Sequence, residues 1–311
     1  IPKAEEKEYY PMSSAQKRMY LINQIDNTDI AYNIAEVFSL NDRIDIKRFT
    51  DAVKIFMEHH ESLRTSFEMR DNELVQVIHS DIEPDIVVNE CNGRPAESFV
   101  DDFIRPFDLS KAPLFRIMIL HDNEKDHIFY DMHHIISDGQ SVDIFENDLI
   151  KLYNGENVVS NNLHYHDFSQ WLSSYAIDEH KKYWLSKFSE TIPDTELPLD
   201  HQRPTKKTYN GAVGKFVIDE TFGYNISKIL AKSNYTEFML FISVLMILFS
   251  KYSGNEDIVI GSPVSGRIHR DTERMMGVFI NTIALRAYPD RSLSYIEFLE
   301  QVKKVCIDAF D

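Results

Sequence analysis

At 311 residues the chain is long enough for two lobes with separate cores, and its hydrophobic and charged fractions are those of an ordinary globular protein. Fifty acidic against 33 basic side chains, a net charge of −17, argue against nucleic acid as a partner, because phosphate binding needs basic patches. Two cysteines, Cys91 and Cys306, supply neither a disulfide framework nor zinc-ligand spacing, so a reducing, cytoplasmic setting is expected. The longest apolar run, residues 238–249, is shorter than the about 20 residues of a membrane span. Residues 1–10 are charged, lack a signal-peptide core and read as a linker from an upstream domain.

The first helix is expected over residues 13–24, where Ser13 and Gln16 form a capping-box pattern. Residues 32–40 alternate as a strand, and residues 45–59 place Ile46, Phe49, Val53, Phe56 and Met57 at helical spacing. Residues 63–67 and 74–78 flank a polar turn and read as a hairpin, followed by a short helix over 95–103. A second hairpin joins residues 114–120 to 127–132 across 123–126. One helical stretch covers 167–188 and holds both tryptophans, Trp171 and Trp184. The turn-rich residues 192–204 mark the boundary between lobes, which gives an N-terminal lobe over 11–190 and a C-terminal lobe over 191–311. Beyond it come a strand at 214–218, a helix at 224–231 and an apolar helix at 237–252. That last helix is capped by Thr236, stopped by Gly254 and expected to lie in a core on nearly all sides. Strands at 257–260 and 278–287 follow, then a helix opened by Ser294 and Glu297. Strands and helices interleave without strict βαβ order, which favours an α/β or α+β sandwich over a Rossmann fold, and no Gly-rich phosphate loop occurs.

Chemistry concentrates at residues 127–141. A strand carrying Ile128, Tyr130 and Met132 on one side runs into two histidines, the turn Ser137, Asp138 and Gly139, and a helix that Ser141 could cap. Adjacent strand residues face opposite sides, so His133 and His134 cannot readily share a metal or a substrate. In strand register His134 joins the apolar row, where partial burial would keep its ring neutral and proton-accepting. Neither H-E-x-x-H nor G-x-S-x-G is present, and on its own a His-His pair reads as two satisfied structural side chains.

The wider context reverses that reading. Residues 132–139 (MHHIISDG) resemble the HHxxxDG motif of condensation domains of nonribosomal peptide synthetases, which belong with the chloramphenicol-acetyltransferase-like acyltransferases. Residues 14–20 (SAQKRMY), 60–67 (HESLRTSF), 165–171 (YHDFSQW) and 260–269 (IGSPVSGRIH), the last continuing to 277–282 (GVFINT), are similar to further motifs of that family, in its order. Gln140 departs from the pattern, standing where Trp or Val is commoner, and the family's last two motifs are missing.

The resemblance implies two chloramphenicol-acetyltransferase-like lobes in a V, the second cut short, with a tunnel reached by carrier domains from opposite ends. It implies amide formation between a donor acyl or peptidyl thioester and an acceptor aminoacyl thioester, with an L-donor joined to an L-acceptor favoured. The substrates would arrive on phosphopantetheine arms, with no cofactor or metal bound by the domain itself. Donor and acceptor carrier domains and an adjacent adenylation domain would be the partners of a domain that is monomeric when excised. His134 matches the catalytic histidine. His133 is assigned to holding the loop, and Gly139 to close approach of the thioester. Asp138 is read as a structural ion-pair partner, with Arg267 the first choice and Arg64 the second. Arg18, His60, Tyr165, Trp171 and Asn281 are packing or tunnel positions. An epimerisation domain of the same fold and a non-catalytic docking fragment are the alternatives. A heterocyclising relative would carry an Asp-rich motif in place of the two histidines.

Overall fold

The computed structural model describes residues 1–122, 125–192, 196–205, 208 and 211–310. Residues 123–124 of the second hairpin loop and 193–195 of the turn-rich segment lie outside them. The chain divides into two compact units, one of residues 1–175 and 265–281, the other of 176–264 and 282–311. A single boundary near residue 190 therefore misses a return of the chain: residues 265–281 fold into the first unit.

The first unit is built on a four-stranded sheet in the order β2-β7-β6-β5, from β2 (Asn33–Ser39), β5 (Ile86–Glu90), β6 (Phe115–His121) and β7 (Asp126–His133). Strand β7 pairs antiparallel with both neighbours, and β5 joins β6 in parallel. Both faces of β7 are covered. Tyr130 and Met132 enter the main core with helix α2 (Ile46–His59) and helix α4 (Gly139–Tyr153), while Phe129 packs with Phe103, Met118 and Leu120 on the other side. Helix α2 buries Phe49, Val53, Phe56 and Met57, each contributing about 1.5–3 kcal/mol by leaving water. Helix α1 (Ser14–Ile25) opens with the expected reciprocal cap between Ser13 and Gln16. Strand β1 (Tyr10–Pro11) adds to the hairpin of β3 (Thr65–Arg70) and β4 (Glu73–Ile78), and a short helix α3 (Val100–Phe103) follows.

The expected helix over 167–188 is two helices, α5 (Tyr165–Ser173) in the first unit and α6 (Asp178–Lys187) in the second. The second unit continues with α7 (Glu220–Leu230), α8 (Glu237–Ser253), the antiparallel pair β8 (Ile258–Val264) and β9 (Asn281–Ala287), and α9 (Tyr295–Phe310). Residues 214–218 form no strand, and Phe216 and Val217 are almost fully exposed, because no neighbouring strand pairs with them among the described residues. Helix α8 is not buried all round. Met239, Ile242 and Met246 face a core shared with α9, β8 and β9, whereas Phe241, Val244 and Leu248 are open on the other side. Residues 278–280 precede β9 rather than extending it. No helix among the described residues is long and apolar enough to cross a membrane.

Candidate active site

Strand β7 ends at His133, whose residue partner on β2 is Asn33. The next residue already begins a short 3-10 turn, His134–Ile136, so period-two alternation stops one residue before His134. Strand alternation does not reach His134: His133 is the buried member of the pair at 3% exposure, and His134 is half-buried. The two rings have opposite proton assignments. Ile135 N–H donates to His133 Nδ1 (3.0 Å), making that nitrogen an acceptor. His134 Nδ1 lies 2.7 Å from the Ser137 carbonyl, which only accepts, so His134 carries a proton on Nδ1, and the neutral ring has its lone pair on Nε2. Burial pushes the His133 imidazolium down to about 4, and the neighbouring His134 adds to this, so His133 stays neutral at pH 7.

Asp138, not Ser141, caps α4. Its Oδ1 accepts from Ser141 N–H (2.9 Å), Ser141 Oγ (2.8 Å) and Arg267 Nη2 (2.8 Å), and its Oδ2 accepts from Phe279 N–H (3.1 Å). An N-cap carboxylate beside an arginine fork satisfies helix-end amides and a buried cation together. Arg267 also donates from Nη1 to the carbonyls of Thr272 and Met275, and its guanidinium lies 4.0 Å over the Phe279 ring. Arg64 is occupied elsewhere, donating to the carbonyls of Met57 (3.0 Å) and His79 (2.6 Å). At Gly139 a Cβ would meet nothing within 4 Å, so the backbone borders open space.

Ser141 carries more than its sequence position suggests. Besides bonding Asp138 it accepts from Gly277 N–H (3.0 Å) and lies 2.9 Å from the Gly277 carbonyl, tying the start of α4 to residues 265–281. Two glycines make that segment fit. Gly266 has φ +63° and its Cβ would stand 1.9 Å from the Phe279 carbonyl oxygen, while a Cβ on Gly277 would stand 1.9 Å from Tyr165 Cδ2. Tyr165 is pinned in turn: its hydroxyl donates to the Val278 carbonyl (2.7 Å), leaving Ser13 Oγ to donate to it (2.8 Å). Gln140 Nε2 donates to the Glu273 carbonyl (2.9 Å). The sequence signal for this network was the Asp-x-x-Ser spacing before an apolar run, which marks Asp138 rather than Ser141 as the cap.

The other named positions are dispersed. His60 is buried against Phe56 (ring centroids 4.4 Å) and pushed down to about 3 by burial. Trp171 stands edge-on to Tyr175 and His269, and Arg18 donates to Asn281 Oδ1 (3.3 Å). No group of three or more His, Cys, Asp or Glu side chains among the described residues could hold a metal ion. The arrangement offers one half-buried imidazole with a fixed tautomer, beside a rigid turn and an open glycine.

Comparison with known proteins agrees with this architecture. The chain is 41% identical over its whole length to tyrocidine synthase 3 of Brevibacillus parabrevis and 38% identical to bacitracin synthase 3 of Bacillus licheniformis, spanning 5% of each. A solved four-domain nonribosomal peptide synthetase, crystallised with AMP and glycine, superposes with a TM-score of 0.88 at 23% identity, covering all of this chain and 25% of that one. The condensation-domain family profile matches residues 6–311, and the chain belongs to that family.

Proposed function

We propose that this condensation domain forms an amide between two substrates presented as thioesters on carrier domains. The acceptor's amine attacks the donor's carbonyl carbon. A C–N bond forms as the C–S bond breaks, the donor carrier's phosphopantetheine leaves as a thiol, and the amine gives up one proton. The reading is carried by the His134 ring: with Nδ1–H held by the Ser137 carbonyl, the Nε2 lone pair can accept the amine's N–H and then its proton. Such help contributes about 10²–10⁴-fold. Aligning two tethered substrates contributes at least as much, with effective molarities of roughly 10⁵ M or more for well-oriented pairs.

In this scheme His133, Asp138 and Arg267 touch no substrate; they hold the turn that carries His134. Open space at Gly139 leaves room for a thioester beside that turn. The phosphopantetheine arms belong to the carriers and are substrate handles rather than a cofactor of this domain. Donor and acceptor carriers and an adjacent adenylation domain are its partners, and an L-configured donor joined to an L-acceptor fits the motifs at residues 14–20 and 260–282.

The test is a single-turnover reaction with two loaded carriers in the intact module, read by mass spectrometry. Wild type should yield the amide mass, with L-donors faster than D-donors, and His134→Ala should yield none while keeping its circular dichroism and Tm. Near-wild-type product from His134→Ala would refute the assignment. A change of configuration with no new mass would identify epimerisation instead.

A further inference from the structure

A cavity of about 670 Å³ opens in the first unit, away from the double histidine. It lies between β7, β2 and helices α2 and α4, and its floor is Phe49, Ile117, Tyr130, Phe145 and Leu149, all buried. None of residues 131–144 lines it, and Tyr130, the lining residue nearest His134 along the chain, stands four residues before it, roughly 13 Å at about 3.3 Å per residue, so this is a separate site. Its size falls within the range of small-molecule pockets, about 300–1,000 Å³.

Glu146 is the half-buried polar side chain of the lining, whose other polar members, Ser39, Asn41, Asp42 and Arg43, are exposed. Tyr130 Oη donates to Glu146 Oε1 (2.7 Å), using one of about four acceptor positions of a carboxylate and leaving the rest for a ligand. Burial, reinforced by Glu146, Glu36 and Asp143, raises the Tyr130 hydroxyl so that it remains a donor. Asp42 adds another carboxylate at the mouth. The cations at this end are already engaged: Arg43 donates to Asp126 Oδ1 (3.1 Å) and the Asp122 carbonyl (2.8 Å), and Arg48 lies over the Tyr153 ring at 4.7 Å. The site therefore combines an apolar, aromatic body with a carboxylate, Glu146, that forms no ion pair among the described residues, the lining cation Arg43 being paired with Asp126.

From this we infer that the cavity binds a small amphipathic amine, its hydrocarbon portion against the Phe49–Phe145 floor and its ammonium group on Glu146. The inference is independent of the amide-forming chemistry.

Octylamine, octanol and octanoate share a chain and differ in charge, and each would be titrated into the full chain by calorimetry, with methyl NMR of Ile128 and Leu149 to locate it. Octylamine should bind at least ~10-fold more tightly than either congener, the scale of a hydrogen bond to a charged group, and should shift both methyl signals. Glu146→Gln keeps an acceptor for Tyr130 and should reduce octylamine to the affinity of octanol while leaving octanol unchanged. Ile150→Arg, at a lining position that is 61% exposed and so tolerant of change, should weaken octylamine but not octanoate. Equal binding of octylamine and octanol, no binding of any probe, methyl shifts elsewhere only, or an amine preference that survives Glu146→Gln would overturn the proposal.

Discussion

Replacing Asp138 by Asn separates scaffolding from chemistry. Both side chains of the Asp138–Arg267 pair are nearly buried, 6% and 4% exposed, and 2.8 Å apart. Asparagine keeps one carbonyl oxygen and is as good an N-cap as aspartate, so the start of α4 should survive. Its amide nitrogen must then face either Phe279 N–H, which now donates to Oδ2, or the Arg267 and Ser141 donors on Oδ1. One set of donors is left facing another, and the guanidinium loses its counter-charge. Removing one partner of a buried pair costs ~3–5 kcal/mol, and the retained carbonyl places Asn at the lower end, about 3 kcal/mol. For a unit of this size ~2–4 °C is lost per kcal/mol, so Tm should fall by roughly 10 °C. Adding Arg267→Met removes the stranded charge, and the double variant should be more stable than the two single losses predict, by ~0.5–3 kcal/mol. Thermal denaturation of the four proteins, with amide formation assayed alongside, decides the matter. Lost activity at an unchanged Tm would refute the scaffold assignment and give Asp138 a direct role in chemistry.

Gly277→Ala should destabilise by about 1–3 kcal/mol through overpacking, because the Tyr165 ring in its way is buried and held at its hydroxyl by Ser13 and Val278; a wild-type Tm would show that the ring yields freely. The His166 ring gives a pH signature. Burial opposes its charge, but Asp167 (3.3 Å) and Glu61 (3.0 Å) raise it to about 9. A folded-state value above the ordinary 6.5 stabilises fully below pH 6.5 and is lost as pH rises through 9. The Tm gap between wild type and His166→Gln should therefore be widest near pH 6 and shrink towards pH 9.5, and a gap that widened with pH would contradict this sign.

Local signals in the sequence translated well where neighbouring residues decide the outcome. The caps at Ser13, Thr236 and Ser294 and the left-handed stop at Gly254 all stand where sequence puts them, because a helix end is settled by its own backbone amides and one or two side chains. One local expectation failed, since Asp138 rather than Ser141 caps α4; the other failures depended on distant partners. Residues 214–218 have strand composition but no strand beside them, and the outer face of α8 is apolar without being covered. Periodicity records what a segment could bury, not what stands opposite it. At the site, strand parity chose the half-buried histidine for the wrong reason, since alternation ended one residue too early for it to apply. The Asp138–Arg267 pair was accessible only because planar guanidinium suits a buried carboxylate; a separation of 129 positions along the chain gave no spacing to read.

Two adjacent histidines end up chemically unlike because the backbone changes type between them. His133 closes a strand covered on both faces, and burial combined with an amide donor on Nδ1 makes it a neutral acceptor inside the turn. His134 opens a 3-10 turn, and the carbonyl of Ser137, which ends that turn, accepts the Nδ1–H and leaves Nε2 as the acceptor of the neutral ring. That division depends on Ser137 staying in place. Asp138 follows immediately and is fixed by Arg267, Ser141 and Phe279, so residues far along the chain determine where the Ser137 carbonyl points. The ring is thus held at Nδ1 alone, by a carbonyl whose place is set by the packed turn behind it. The proposed reaction asks one ring nitrogen to meet an amine and needs it placed to within about 0.5 Å; a bond made at Nδ1 by a packed turn orients the ring and leaves the Nε2 lone pair of the neutral imidazole free.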